Sequence, residues 1–119
     1  MKIIIYNDEL RSGMQMYLAL SNHHEVTVAQ DVEDLLELLD QAAADMTIMG
    51  LASSDQGERI SDSLDIAQQI QNQHPHVKVI GIYDQGDNRV AEEARSHGID
   101  ELITRPIKNR ELLGLIERE

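Results

Sequence analysis

The residues whose types could carry chemistry stand directly after runs of aliphatic residues. Asn7 and Asp8 offer the oxygen ligands that a hard divalent cation prefers, and Arg105 offers a permanent cation for a carboxylate or phosphate group. Another run ends at Gly50, which has no side chain. The position where that run ends therefore has no side chain that could accept a phosphoryl group.

Five aliphatic runs separated by helical patterns predict alternating strands and helices. The predicted strands cover residues 2–6, 25–29, 46–50, 77–83 and 101–104. The first helix carries Met14, Tyr17, Leu18 and Leu20 at three-to-four spacing. The second is capped by Asp31, and the fourth passes through Val90 and Ala94 and stops at Gly98. The apolar positions of the second and fifth helices are Val32, Leu35, Leu36, Leu38, Leu39, Leu112, Leu113, Leu115 and Ile116.

The segment 51–63 has the serine, aspartate and glycine content of a loop, so we expect the third helix to begin near Leu64. Alternation of strand and helix favours a parallel sheet covered on both faces, because parallel strands need long crossovers. In such a doubly wound α/β sandwich, ligands bind beyond the carboxyl ends of the strands. We therefore expect function in the loops after Tyr6, Gly50, Tyr83 and Thr104.

Composition excludes several classes of protein. The 119 residues suit one domain, and a formal net charge of −12 opposes autonomous binding to nucleic acid or to anionic membranes. The absence of cysteine excludes disulfides and thiolate chemistry and fits a reducing compartment, so we expect a cytoplasmic protein. No aliphatic run is long enough to span a membrane. A protein partner is the interpretation that this composition favours.

The segment from His97 to Pro106 resembles the end of the receiver domain of bacterial response regulators, with a glycine, an acidic pair, an aliphatic strand and a basic residue before proline. The acidic cluster after the first strand and the third strand near residue 50 extend the resemblance over residues 1–119. It implies a flavodoxin-like (βα)5 sandwich whose five-stranded parallel sheet has the order 2-1-3-4-5. It also implies a cis bond between Arg105 and Pro106.

A working receiver domain holds Mg²⁺ with acidic residues after strand one and is phosphorylated on an aspartate at the end of strand three. Ser or Thr after strand four and Lys before proline meet the phosphoryl oxygens. The resemblance places Asn7 and Asp8, Gly50, Tyr83 and Arg105 at these positions, and only Asp8 matches plainly. The corresponding degenerate pocket comprises Asn7, Asp8, Gly50, Tyr83, Asp84, Arg105 and Pro106.

Arg105 of this pocket and Leu102 on the strand that precedes it both suggest a fixed structure. Arg105 presents a planar fork suited to a permanent carboxylate, so we expect it to pair with Asp8 or Asp84. Leu102 stands where the family has the aromatic residue of its conformational switch.

Asp8 is a candidate for residual Mg²⁺ binding. The ordinary role of an acidic residue at this position is a helix cap, so we expect no cofactor.

The resemblance implies a non-enzymatic signalling module of a two-component system or phosphorelay that binds a protein partner without aspartyl phosphorylation. Receiver domains commonly associate through the fourth helix, fifth strand and fifth helix, either with a partner or as a homodimer. The candidates on that face are Arg89, Glu93, Glu101, Leu102, Lys108, Arg110 and Glu117. The alternative is a phosphoacceptor that uses a displaced carboxylate, Asp55, with Mg²⁺. A small-ligand site has little support, because no glycine-rich phosphate cradle follows the first strand.

Overall fold

Five strands alternate with five helices along the part of the chain that the structure describes, a computed structural model of residues 1–6, 10–41, 43–51, 58–99 and 101–117. Of residues 10–12 and 58–62 it describes the backbone alone. The elements are β1 Lys2–Tyr6, α1 Leu10–Leu20, β2 Glu25–Val28, α2 Val32–Gln41, β3 Met46–Gly50, α3 Glu58–Gln73, β4 Lys78–Asp84, α4 Asn88–Ser96, β5 Glu101–Arg105 and α5 Asn109–Glu117.

The strands form one parallel sheet in the order β2-β1-β3-β4-β5, which confirms the predicted fold class and strand order. Each parallel pair needs a crossover, and the crossover helices cover both faces of the sheet. Helices α1 and α5 pack on one face and α2, α3 and α4 on the other. No helix within the described residues is long and apolar enough to cross a membrane.

Successive residues of the central strands supply two separate hydrophobic layers. Ile3 and Ile5 of β1 pack with α1 and α5, whereas Ile4 between them packs with the α2–α4 layer. The same alternation places Ile80 and Val79 of β4 in opposite layers. Side chains of a strand point alternately to its two faces, so strands buried on both faces need continuous aliphatic runs. This requirement explains the aliphatic runs in the sequence.

Helix α1 turns a different face to the core from the one its spacing indicates. Met16 and Leu20 are fully buried, whereas Met14, Tyr17 and Leu18 are 55%, 43% and 66% exposed. The predicted helix is confirmed, but of the four residues that indicated it only Leu20 is buried. A three-to-four spacing shows that a helix face is apolar, but it does not show which element covers that face.

The rotation of α1 is fixed by its contacts with the segment that precedes α5. Gln15 Nε2 donates a hydrogen bond of 2.6 Å to the carbonyl of Ile107 and one of 2.9 Å to Oδ1 of Asn109. These bonds direct the Gln15 side of α1 toward α5. Residues 14 and 17 then lie away from the Gln15 side, whereas Leu18, three positions after Gln15, lies between the Gln15 side and the exposed side, since neighbours on a helix surface are three or four positions apart.

Helix α3 begins at Glu58, six residues before the predicted start near Leu64. The buried positions Leu64, Ala67 and Ile70 are those of an amphipathic helix. Once such a helix is anchored, adding a turn at its start requires little further ordering, so polar residues there can be helical. Loop composition therefore overestimated the length of this connection.

Two predicted helix ends are confirmed. Oδ1 of Asp31 accepts a hydrogen bond of 2.8 Å from the backbone N–H of Asp34, as an N-cap residue does. Gly98 follows α4 with a φ of +88°, a left-handed conformation that favours glycine. Gln71 Nε2 of α3 donates a hydrogen bond of 2.8 Å to the Gly98 carbonyl, so this turn also joins α3 to α4.

We predict that Gly98→Ala lowers the free energy of unfolding by about 1–2 kcal/mol, because an L residue is strained at positive φ. Its Cβ would also lie 3.3 Å from Oε1 of Gln71. The matched control is Gly114→Ala in α5, where a Cβ meets nothing within 4 Å. We expect that variant to gain about 0.5–1 kcal/mol, because alanine is the better helix residue. Urea unfolding measures the free energy of unfolding of both variants. Changes of the same sign in the two variants would contradict the conformational role of Gly98.

Candidate functional site

The carboxyl ends of β3, β4 and β5 bring most of the predicted pocket residues to one edge of the sheet. In the strand register Gly50 is the partner of Ile82, and Asp84 is the partner of Arg105. Asn7 and Asp8 lie outside the described residues. The part of the pocket that the structure describes is therefore Gly50, Tyr83, Asp84, Arg105 and Pro106.

An ion pair joins β4 to β5 at this edge. Arg105 Nη1 donates a hydrogen bond of 2.9 Å to Oδ1 of Asp84. The Arg105 side chain is only 14% exposed, whereas that of Asp84 is 50% exposed. Of the two predicted partners of Arg105, Asp84 is thus confirmed. A guanidinium held in a mostly buried position is well placed for a permanent contact with a carboxylate.

The turn after β4 is attached to the same arginine through its backbone. The N–H of Gln85 donates a hydrogen bond of 3.2 Å to the Arg105 carbonyl, and the N–H of Asp87 donates one of 3.0 Å to the Asp84 carbonyl. Gly86 has a φ of +90°, the conformation that glycine supplies at the third position of a type II turn. The Arg105 side chain and carbonyl together fix the turn that leads into α4.

The segment after β5 lies against α1. The Arg105–Pro106 peptide bond is cis, which confirms the expectation drawn from the resemblance. The next residue, Ile107, is buried in the α1–α5 layer, and its carbonyl is the one that accepts the bond from Gln15.

Aliphatic contacts extend from Gly50 to the outer strand β5. The N–H of Leu51 donates a hydrogen bond of 2.7 Å to the Ile82 carbonyl, and its side chain is buried. A Cβ placed on Gly81 would lie 3.0 Å from both Leu51 Cδ1 and Leu102 Cδ2. The two leucines therefore occupy the space that a side chain at position 81 would fill. Tyr83 is half-buried against the same α2–α4 layer.

The described residues of this edge do not fit a bound Mg²⁺ ion. Gly50 provides no carboxylate, and the carboxylate of Asp84 is bonded to the Arg105 guanidinium, whose positive charge opposes a nearby cation. Within the described ranges, no three histidine, aspartate or glutamate side chains converge to hold a metal. Asp8 and Asp55 lie outside those ranges.

The predicted interaction face comprises α4, the outer edge of β5 and α5, since α4 and α5 cover opposite faces of the sheet beside this strand. Arg89 Nε lies 3.2 Å from Oε1 of Glu93, and Lys78 Nζ lies 3.5 Å from Oε1 of Glu101. The other charged candidates, Lys108, Arg110 and Glu117, are exposed. The face thus carries both signs of charge.

A groove of about 460 Å³ lies between β5 and α5. Its lining residues are Leu102, Ile103, Arg110, Glu111, Gly114 and Leu115. Leu102 and Arg110 are among the interface residues predicted from the sequence, and the other four lining residues were not among them. Gly114 was the available clue, because a glycine inside a helix is unfavourable unless it leaves space for a neighbour.

The sequence profile of the response regulator receiver domain matches residues 3–117 of this chain. Among solved structures, a CheY-like protein (TadZ) from Pseudomonas aeruginosa PAO1 is 24% identical with a TM-score of 0.83, over 98% of this chain and 97% of that one. NtrX from Brucella abortus is 27% identical with a TM-score of 0.85, over 98% of this chain but only 26% of NtrX. The chain thus spans about a quarter of the length of NtrX. No curated protein matches.

We predict a coupling energy of about 0.5–1 kcal/mol between Asp84 and Arg105 in a double-mutant cycle of Asp84→Ala, Arg105→Ala and the double variant. The half-exposed carboxylate limits the value, and added salt should reduce it. Urea unfolding at low and high salt measures the coupling. Because Arg105 makes further contacts, its single variant should lose more stability than Asp84→Ala. A coupling of zero at low salt would show that the pair contributes nothing.

Proposed function

Because this chain belongs to the response regulator receiver domain family, we propose that it is an atypical receiver domain of a two-component system that binds a protein partner without aspartyl phosphorylation. One observation carries the proposal: Gly50 ends β3, at the position where the resemblance expects the acceptor aspartate. Phosphorylation of an aspartate requires a carboxylate oxygen as nucleophile, and glycine has none.

The residue that follows Gly50 offers no replacement nucleophile. Leu51 is aliphatic, and its buried side chain packs beside Gly81. Nucleophile and phosphate donor must be held in an in-line geometry, so a carboxylate further along the loop would need its own positioning elements. Loss of the acceptor at position 50 is therefore a direct chemical reason for a function independent of phosphorylation.

The ion pair at the strand ends supports the same proposal. A cation that meets a phosphoryl group must be available to it, whereas the Arg105 guanidinium is bonded to Asp84. The backbone carbonyl of Arg105 also holds the turn after β4. The planar guanidinium also differs from the compact ammonium of lysine in how it contacts oxygen atoms. The positive charge of Arg105 thus stabilises the contact between the ends of β4 and β5.

A phosphorylation-driven switch would need an element with two discrete arrangements. Leu102 packs beside Gly81 in place of the family's aromatic residue, and Tyr83 packs against the α2–α4 layer in place of a small hydroxyl residue. Leu102 therefore lacks the aromatic ring, and Tyr83 lacks the small size, of the residue that the family has at its position. The domain we propose is a fixed recognition module with no catalytic residues and no required cofactor, working in the cytoplasm.

The partner-binding surface in this proposal is the α4–β5–α5 face. Its groove offers an apolar floor of Leu102, Ile103 and Leu115, and Arg110 and Glu111 provide both charges at the rim. Mixed charges favour a specific orientation of the partner. A partner that inserts an apolar side chain over Gly114 and presents both charges would fit. A symmetric homodimer through this face is the other form of the proposal, and its association should weaken as salt is raised.

Amide NMR of the labelled protein with Mg²⁺, followed by beryllofluoride, tests the proposal. We expect no saturable shifts at Gly50, Leu51, Asp84 or Arg105, because the described site provides no free carboxylate for the cation. Gly50→Asp is the matched control, since it returns a carboxylate to the end of β3, and we expect Mg²⁺-dependent shifts there. Saturable shifts in the unmodified protein would reject a phosphorylation-independent function.

Mass spectrometry after incubation with acetyl phosphate and Mg²⁺ provides the second readout. We expect no gain of a phosphoryl group by the folded protein. A gain that is lost in Asp55→Asn would instead establish the displaced phosphoacceptor. A gain that persists in Asp55→Asn would place the acceptor elsewhere and would also reject the proposal.

A further inference from the structure

Helix α1 exposes an apolar stripe that nothing in the described part of the chain covers. Met14, Tyr17 and Leu18 are spaced by three and four positions, so their side chains share one side of the helix. Met14 and Tyr17 face away from the start of α5, against which Gln15 is held, and Leu18 lies at the border between the stripe and the Gln15 side. The stripe is therefore separate from the α4–β5–α5 face.

Strand β2 extends this apolar surface at the edge of the sheet. Val28 is 44% exposed and pairs in register with Ile5, whose side chain faces α1 and α5. Paired residues of neighbouring strands point to the same face of a sheet, so Val28 lies on the α1 side. Met14, Tyr17, Leu18 and Val28, which we call the α1–β2 patch, expose on the order of 400 Å² of apolar surface, the size of the largest patch on many monomers.

The charge of the molecule indicates what can approach this patch. Of the five described helices, α1 alone contains no aspartate or glutamate, although the chain carries 22 acidic residues and a net charge of −12. On β2 the acidic residue is Glu25, at the opposite end of the strand from Val28, and it lies 3.8 Å from Nζ of Lys2. Within the described residues, two copies of this acidic chain could therefore meet at the α1–β2 patch without bringing carboxylates of α1 together.

We propose that the α1–β2 patch is a self-association surface and that its occupant is the same patch on a second copy of this chain. An apolar patch is complementary to itself, as a two-fold symmetric interface requires. With two antiparallel α1 helices, Met14 of one copy packs on Leu18 of the other and Tyr17 lies beside the axis. In a standard interface each partner buries ~800 Å² of surface, and the patch supplies about half of that area as an apolar core. This area corresponds to a weak, reversible dimer.

This dimer has a distinctive response to salt. Long-range repulsion between two chains of net charge −12 opposes their approach, and added salt screens that repulsion within a Debye length of about 8–10 Å. The four residues of the patch are uncharged, so they form no ion pair for salt to weaken. Association through the α1–β2 patch therefore strengthens with salt, whereas association through the mixed-charge α4–β5–α5 face weakens. Self-association at this patch does not depend on the proposed function.

Sedimentation velocity from ~10 μM to ~1 mM protein, the range of weak complexes, tests the proposal at about 20 mM and about 500 mM NaCl. We expect a monomer–dimer equilibrium that shifts toward dimer at high salt. Leu18→Glu should weaken dimerisation at least about tenfold, because each substitution appears twice in a symmetric interface. Leu18 is exposed, so this variant should keep its circular dichroism spectrum.

Three controls make the outcome decisive. Gln69→Glu adds the same charge at an exposed position on α3 and should leave dimerisation nearly unchanged, and Leu18→Met should retain it. Arg89→Glu alters the α4–β5–α5 face and should also leave it unchanged. Monomer at every concentration and salt level would overturn the proposal. So would dimerisation that weakens with salt, or that Gln69→Glu reduces as much as Leu18→Glu.

Discussion

The parallel direction of all five strands is the constraint on which the rest of this structure depends. Parallel neighbours can be joined only by crossovers, so helices cover both faces and the central strands are buried on both sides. Those strands are then mostly aliphatic, as Ile3, Ile4 and Ile5 illustrate, and Thr47 of β3 is the buried polar exception among the described residues. The same direction brings the carboxyl ends of the strands to one edge, where Asp84 and Arg105 can meet.

The fold could be predicted from the sequence because burial on two faces leaves an unambiguous aliphatic pattern in β1, β3 and β4. The ion pair could be anticipated because residues at the ends of parallel strands share an edge, although spacing alone could not choose between Asp8 and Asp84. The exposed side of α1 could not be predicted, since Met14, Tyr17 and Leu18 have the spacing of a core face. The start of α3 was missed because polar residues in a helix resemble a loop.

The α1–β2 patch and the α4–β5–α5 face lie at opposite edges of the sheet. The patch borders β2, and the face borders β5, with β1, β3 and β4 between them. In a molecule that measures 34 × 30 × 25 Å, partners at these two edges need not overlap. A dimer formed at β2 would leave both grooves beside β5 accessible, so self-association and partner binding are sterically compatible. The fixed, aliphatic centre of the sheet separates the two surfaces.

The scarcity of aromatic residues gives this protein a set of natural optical probes. The chain has three tyrosines and neither tryptophan nor phenylalanine, so its near-ultraviolet absorbance and emission come from tyrosine alone. Tyr6 ends β1 and Tyr83 precedes the last residue of β4, and both are partly buried, whereas Tyr17 is on the open side of α1. Solvent quenching should therefore distinguish the strand-end edge from the α1 surface without any added label.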